Sequence, residues 1–214
     1  MREAGDAAGE RLNALLTEAG LEELDTVGQR RFEDYLSLIL RWNSRVNLTS
    51  IRDREEILSR HFVESIACAR GLPAGIATLL DVGSGAGLPG VPIAICRPEI
   101  AVTLAESQGK KAAFLQETVR VLGIAAKVFA HRAEELETEF DCAVLRAVER
   151  MPRAVETAAR LVKPGGWLGL MTTAGTVQAL HAAAGPAFSW EAPVRLPGGI
   201  NRQLDLGRRI RSAV

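Results

Sequence analysis

Apolar residues recur at helical spacing through the first third of the chain and gather into short runs after it. Leu12, Leu15, Leu16 and Ala19 lie three and four residues apart, and Phe32, Leu36, Ile39 and Leu40 repeat that spacing with acidic residues between them. Gly20 and Asp25-Thr26 punctuate the two runs. A third helical stretch covers about residues 53–71, carrying Ile57, Phe62, Ile66 and Ala67, and Pro73 and Gly75 close it. From residue 76 short apolar runs alternate with helices. Strands are predicted at 77–81, 101–105, 126–130, 141–145 and 167–171, and helices at 90–96, 108–122, 152–162 and 175–184. Strands alternating with helices predict a parallel sheet covered on both faces. Two last segments, about 188–196 and 202–210, read as strands joined by Pro197-Gly-Gly-Ile-Asn201. With no helix between them, an antiparallel hairpin is the simplest connection. The expected organisation is an N-terminal helical cap over residues 1–75 and an α/β core over 76–214, forming one compact unit.

Composition changes this picture little. The 214 residues are 47% hydrophobic and 24% charged, enough apolar material for a full core. No run of about 18 apolar residues occurs, so no membrane span is expected. The N-terminus Met1-Arg-Glu-Ala-Gly-Asp lacks a basic region followed by an apolar stretch, so no secretory leader is expected. Cys68, Cys96 and Cys142 are odd in number and irregularly spaced, which fits buried thiols in a reducing cytoplasm. His61, His131 and His181 make no metal-ligand spacing either, so no metal is expected. The 26 basic and 26 acidic residues cancel, but unevenly along the chain. Residues 1–26 hold two Arg and seven acids, whereas 195–214 hold five Arg and one acid, which permits a local basic face.

Candidate chemistry concentrates where predicted strands end. Leu79-Leu-Asp-Val-Gly-Ser-Gly-Ala-Gly-Leu-Pro-Gly90 is an apolar strand ending in an acid, then a glycine-rich turn and a helix start. Glycines at 83, 85 and 87 bring a ligand against bare backbone. Leu88 stands where a dinucleotide fingerprint has its third glycine. Asp81 followed by this spacing resembles motif I of the class I S-adenosyl-L-methionine (SAM) methyltransferases, a Rossmann-like fold whose parallel sheet ends in an antiparallel hairpin. The loop Gly83–Gly87 would then press on the amino-acid end of SAM, and the helix from about Pro89 could offer amides to its carboxylate. Glu106 ends the second strand, 25 residues after Asp81, where a carboxylate suits both ribose hydroxyls. Ala133-Glu134 follows the third strand, a position that usually flanks adenine in such folds, and Arg146 follows the fourth. The Asn-Pro-Pro-Tyr motif of amino-group methyltransferases and the Pro-Cys nucleophile of pyrimidine C5 methyltransferases are absent. A hydroxyl target needs a general base. A guanine N7 does not, because its lone pair is free, and alignment can supply most of the catalysis.

A second stretch narrows the resemblance. Arg41-Trp-Asn-Ser-Arg-Val-Asn-Leu-Thr-Ser-Ile-Arg-Asp53 and Arg60-His-Phe-Val-Glu-Ser65, taken with Asp81–Pro92, closely resemble the bacterial ribosomal small-subunit methyltransferase G family, also called glucose-inhibited division protein B. The resemblance runs from about residue 30 to the hairpin and includes Gly109-Lys110 and Phe114-Leu115. It implies methylation of N7 of a guanosine, position 527, in the 530 loop of 16S ribosomal RNA, with SAM as donor. It also implies a cytoplasmic enzyme acting on the small ribosomal subunit or an assembly intermediate. By matching motif, cofactor positions fall on Gly83, Leu88, Ala133, Glu134 and Arg146. Arg202 matches an arginine suspected of acting on the RNA, and Asn47, Arg60, His61 and Lys110 are further matched polar positions. Glu106 and Glu64 stand where relatives often have Asp. The residues leave other readings open: a SAM-dependent enzyme for a small molecule, or a non-catalytic protein that binds SAM or RNA. An NAD-dependent oxidoreductase is disfavoured by Leu88.

Overall fold

The computed structural model describes residues 3–211. Its N-terminal part is helical: α1 (Glu3–Glu18), α2 (Thr26–Asn43), α3 (Arg54–Glu56), a π-helical segment Ile57–Phe62 and α4 (Val63–Gly71). Asp25 starts α2 by accepting the Gly28 N–H at 2.7 Å, and Asp53 starts α3 by accepting that of Glu56 at 2.9 Å. The stretch predicted as one helix over 53–71 is therefore three segments. The π turn carries Arg60 and His61, and π turns inside helices often mark functional sites.

The rest alternates as predicted: β1 (Thr78–Val82), α5 (Gly90–Cys96), β2 (Ala101–Ala105), α6 (Gly109–Leu122), β3 (Ala126–Phe129), a 3-10 turn Ala133–Glu135, β4 (Phe140–Arg146), α7 (Met151–Arg160), β5 (Val162–Thr173), α8 (Val177–Ala184), β6 (Phe188–Trp190), β7 (Val194–Arg195) and β8 (Arg202–Arg209). The sheet runs β3-β2-β1-β4-β5-β8-β6, with β7 also paired to β8. The first five strands are parallel, and β8 lies antiparallel between β5 and β6. The expected first hairpin strand is split in two at Glu191–Pro193. Pro193 has no N–H to give the ladder, which is a sufficient cause. The fifth strand starts earlier than expected. Val162 pairs with Phe140, the turn Lys163–Gly166 loops out, and pairing resumes with Trp167 opposite Cys142.

Strand side chains alternate between two cores, as a period of two requires. On β4, Cys142 and Val144 face the core shared with α1, α2, α4, α5 and α6, whereas Ala143 and Leu145 face the core under α7 and α8. The N-terminal helices pack into the first core through Leu12, Leu16, Phe32, Leu36 and Phe62, all at most 2% exposed. Tyr35 stacks on Phe62 with ring centroids 5.1 Å apart, and its hydroxyl donates to the Ala86 carbonyl at 2.5 Å. Helix α2 thus grips the glycine loop directly. Among the described residues no helix is long and apolar enough to cross a membrane.

Candidate active site

The strand order reverses between β1 and β4, and in open α/β sheets the crevice outside the strand ends at that point is where ligands bind. A cleft of about 810 Å³ opens there, within the range of small-molecule sites. Gly83, Gly85 and Leu88 from the loop after β1 line it, as do Glu106 after β2 and Ala133 and Glu134 after β3. Arg146, His61 and Arg202 line the same cleft from β4, the π turn and β8. Asn47 and Lys110 do not. They line a neighbouring depression of about 520 Å³ with Arg45 and Lys111, and Lys111 and Gln108 border both cavities. Of the C-terminal arginines, Arg202 borders the cleft, while Arg208 lies over the Trp167 ring and Arg209 pairs with Glu139.

The three loop glycines differ in what surrounds them. All have positive φ, the left-handed region that glycine enters without strain. A Cβ on Gly87 would meet Val91 Cγ2 at 2.6 Å and the Tyr35 hydroxyl at 3.0 Å, and one on Gly83 would meet Val148 Cγ1 at 2.9 Å. Those two are packing glycines. A Cβ on Gly85 has no neighbour closer than the Gly83 carbonyl at 3.8 Å, so it would stand in free space bordering the cleft. Glu106 is buried, and its carboxylate is tied to the loop. One oxygen accepts the Gly85 N–H at 3.0 Å and the other the Gln108 N–H at 2.7 Å. Each oxygen keeps a second lone pair. Asp81 is turned away from ligand duty: one of its oxygens accepts the Gly90 N–H at 3.1 Å and so anchors the start of α5.

Opposite the glycine loop sits a buried charge cluster. Arg146, with its side chain 7% exposed, places Nη2 2.5 Å from Glu64 Oε2, and Glu64 is 3% exposed. The same Nη2 donates to the Arg60 carbonyl at 3.2 Å and lies 3.0 Å from His61 Nδ1. Arg202 Nη1 is 3.6 Å from the other Glu64 oxygen. Glu64 thus ties β4 and the first residue of β8 to α4, and Arg146 ties β4 to the π turn. Burial and the cations of Arg146, Arg60 and Arg202 push the His61 pKa down to about 3, so the ring is neutral at neutral pH. Burial pushes the Cys68 and Cys142 thiols up, which leaves neither as a thiolate nucleophile.

Four residues of this region are not among the site positions expected from the sequence. Asn43, buried at the end of α2, folds the loop after it: Oδ1 accepts from Leu48 N at 3.0 Å and Thr49 N at 3.2 Å, and Nδ2 donates to the Thr49 carbonyl at 3.0 Å. Thr49 itself lines the cleft. Ala147 and Arg150, which also line it, take positive φ of 50° and 54°, uncommon for residues with a side chain and a kind of backbone strain that clusters at active sites.

A parallel sheet with an antiparallel penultimate strand in its order, a glycine loop after β1 and an acid after β2 define a class I SAM-dependent methyltransferase. Solved structures of that class share the fold. They include the mitomycin 7-O-methyltransferase MmcR (TM-score 0.58, 18% identity, covering 69% of this chain and 53% of that one) and TrmN from Thermus thermophilus (TM-score 0.54, 20% identity, 72% and 53%). Residues 28–184 match the family described as rRNA small subunit methyltransferase G. Ribosomal RNA small subunit methyltransferase G of Xanthomonas euvesicatoria pv. vesicatoria (strain 85-10) is 39% identical over 171 residues, 77% of this chain and 78% of its own. The protein of the same name from Stenotrophomonas maltophilia (strain K279a) is 44% identical over 137 residues, 63% and 64% of the two chains. The chain belongs to the rRNA small subunit methyltransferase G family.

Proposed function

We propose that the protein transfers the methyl group of SAM to N7 of guanosine 527 in 16S ribosomal RNA, within the small subunit or a precursor of it. The observation that carries this reading is a single cleft with a cofactor cradle at one end and a buried arginine without a poised base at the other. SAM fits the cradle on two counts. Gly85 offers bare backbone beside open space, and the buried Glu106 carboxylate has a lone pair left on each oxygen for the two ribose hydroxyls. Ala133 and Glu134 would flank the adenine. When bound, the cofactor supplies an electrophilic methyl on a sulfonium.

The residues of the chain then need only bind and align. Burial and the cations of Arg146, Arg60 and Arg202 make His61 a poor base at neutral pH, and N7 of guanine has no proton to give up. Catalysis by proximity suffices. Arg202 is partly exposed at the cleft mouth, and Arg45, Lys110 and Lys111 crowd the adjoining depression. Cations in that arrangement suit the phosphates of an RNA strand whose base enters the cleft. This reading carries a cytoplasmic location with it. Methylation of small-subunit particles or their RNA, measured against a panel of small-molecule acceptors, tests it: preference for a small acceptor would overturn it.

Two variants probe the two ends of the cleft. Glu106→Gln removes the charge-assisted ribose bonds and also turns an NH2 toward one of the two backbone amides that the carboxylate now receives. A hydrogen bond to a charged group contributes about 1.5–3 kcal/mol, so SAM affinity is expected to fall about tenfold or more. Equal affinities in calorimetry would remove Glu106 from the ribose. Arg202→Ala is expected to leave SAM affinity nearly unchanged and to lower methyl transfer strongly. If it pairs with a phosphate, RNA affinity weakens and its salt dependence becomes shallower by about one counterion. Wild-type methylation by Arg202→Ala at both limiting and saturating RNA would exclude any role for it at the site.

A further inference from the structure

The loop between α2 and α3 presents one side chain that neither the cofactor cradle nor the arginine cluster accounts for. Thr49 borders the cleft on a backbone held from both sides by the Asn43 amide. Its hydroxyl oxygen accepts the Ile51 N–H at 3.1 Å and lies 2.8 Å from His61 Nε2. The direction of the second bond follows from the other ring nitrogen. His61 Nδ1 lies 3.0 Å from the Arg146 guanidinium, which has only protons to offer, so Nδ1 is the acceptor. In the neutral ring Nε2 then carries the proton and donates it to Thr49. Glu64 completes the chain by fixing Arg146. With Nε2 and the Ile51 N–H both donating to it, the Thr49 hydroxyl keeps its own proton, which makes no further hydrogen bond among the described residues.

We infer that Thr49 donates this hydrogen bond to O6 of the target guanine and so selects guanine over adenine. The inference rests on the N7-methylation reading and deepens it. On the edge of the purine that carries N7, guanine presents O6, an acceptor, whereas adenine presents an amino group, a donor. A serine or threonine hydroxyl ordinarily suits either base because it can donate or accept. Here the imidazole and the Ile51 amide remove the accepting option. Adenine would set its N–H against the hydroxyl proton, and a buried donor left facing a donor is costly. The Glu64–Arg146–His61 chain is thereby a device that turns an ambivalent hydroxyl into an obligate donor. His61 and Arg146 act on specificity as positioning residues, through Thr49.

The test compares Thr49→Val, which keeps shape and loses the hydroxyl, and Thr49→Ser, which keeps the hydroxyl. Each is assayed with small-subunit particles carrying guanosine, 2-aminopurine riboside (no O6) or adenosine at the target position. Thr49→Val is expected to lose about tenfold in kcat/KM on guanosine, with SAM affinity unchanged and activity restored in Thr49→Ser. On 2-aminopurine, wild type and Thr49→Val should react at similar rates, because the bond is already missing. The preference for guanosine over adenosine should shrink in Thr49→Val. An equal penalty on guanosine and 2-aminopurine would overturn the inference, since Thr49 would then only support the loop. Full activity of Thr49→Val on guanosine would overturn it too. Failure of the wild type on guanosine particles would instead overturn the underlying reading, and the assignment to O6 with it.

Discussion

Gly85→Val is expected to lower SAM affinity by about a hundredfold or more, corresponding to roughly 2.7 kcal/mol, and to bring methyl transfer down with it. The branched side chain would occupy the free space beside the loop, since, apart from the adjoining residues, the nearest atom to the position its Cβ takes is the Gly83 carbonyl oxygen at 3.8 Å. It would also hold a β-branched residue at φ +56°, a conformation that costs about 1–2 kcal/mol outside glycine. That strain is local, and the core packing around α2 and α5 is untouched. Gly87 offers the contrasting case. A side chain there collides with Val91 and Tyr35, so Gly87→Val should lose thermal stability first. Calorimetric SAM titration alongside thermal melts separates the two. Undiminished SAM affinity in Gly85→Val would show that the cofactor does not approach the loop at this residue.

Glu64→Ala is expected to be the most destabilising single change in the site. It strips the carboxylate from Arg146, whose side chain is only 7% exposed, and from the nearby Arg202. Breaking a buried ion pair from one side costs about 3–5 kcal/mol, because the remaining charge stays buried without a partner. For a chain of this length that is roughly a 10 °C fall in melting temperature. Removing both charges should cost less than removing one. The double variant Glu64→Leu/Arg146→Met is therefore expected to melt above Glu64→Ala while remaining inactive. Urea unfolding of the three proteins checks this, and a loss under about 1 kcal/mol in Glu64→Ala would mean that the cluster is effectively solvated. Thr49 links this stability to specificity, since the same carboxylate fixes the arginine that sets the His61 tautomer.

What could be read in the chain beforehand follows from how local each signal is. The βα alternation was legible because period-two and period-3.6 patterns are local, and β2 over Ala101–Ala105 and α5 over Gly90–Cys96 have the expected bounds. Gly83, Gly85 and Glu106 stood out for the same reason: glycine spacing and an acid at a strand end are short-range features. The π turn at Ile57–Phe62 left no trace, because an i-to-i+5 bond needs no special residue. The division of 188–196 was signalled only by Pro193. The Glu64–Arg146 pair joins residues 82 positions apart, and its geometry belongs to the packing of helix against sheet. Asn43 and Asn47 look alike in sequence, yet Asn43 folds the loop from inside while Asn47 borders the outer depression. The role of Thr49 is not legible in the sequence because a hydroxyl's direction is set by its partners, and the Ile51 amide, the His61 ring and the Arg146 guanidinium behind it come from three separate segments.

Identification of the methylated nucleoside tests the central claim most directly. Labelled SAM is incubated with the protein and small-subunit particles lacking the modification, the RNA is digested, and the labelled product is located and named. The account predicts one labelled nucleoside, 7-methylguanosine, at position 527 of 16S ribosomal RNA. Label in any other nucleoside or position, or none in RNA while SAM is bound, would contradict it.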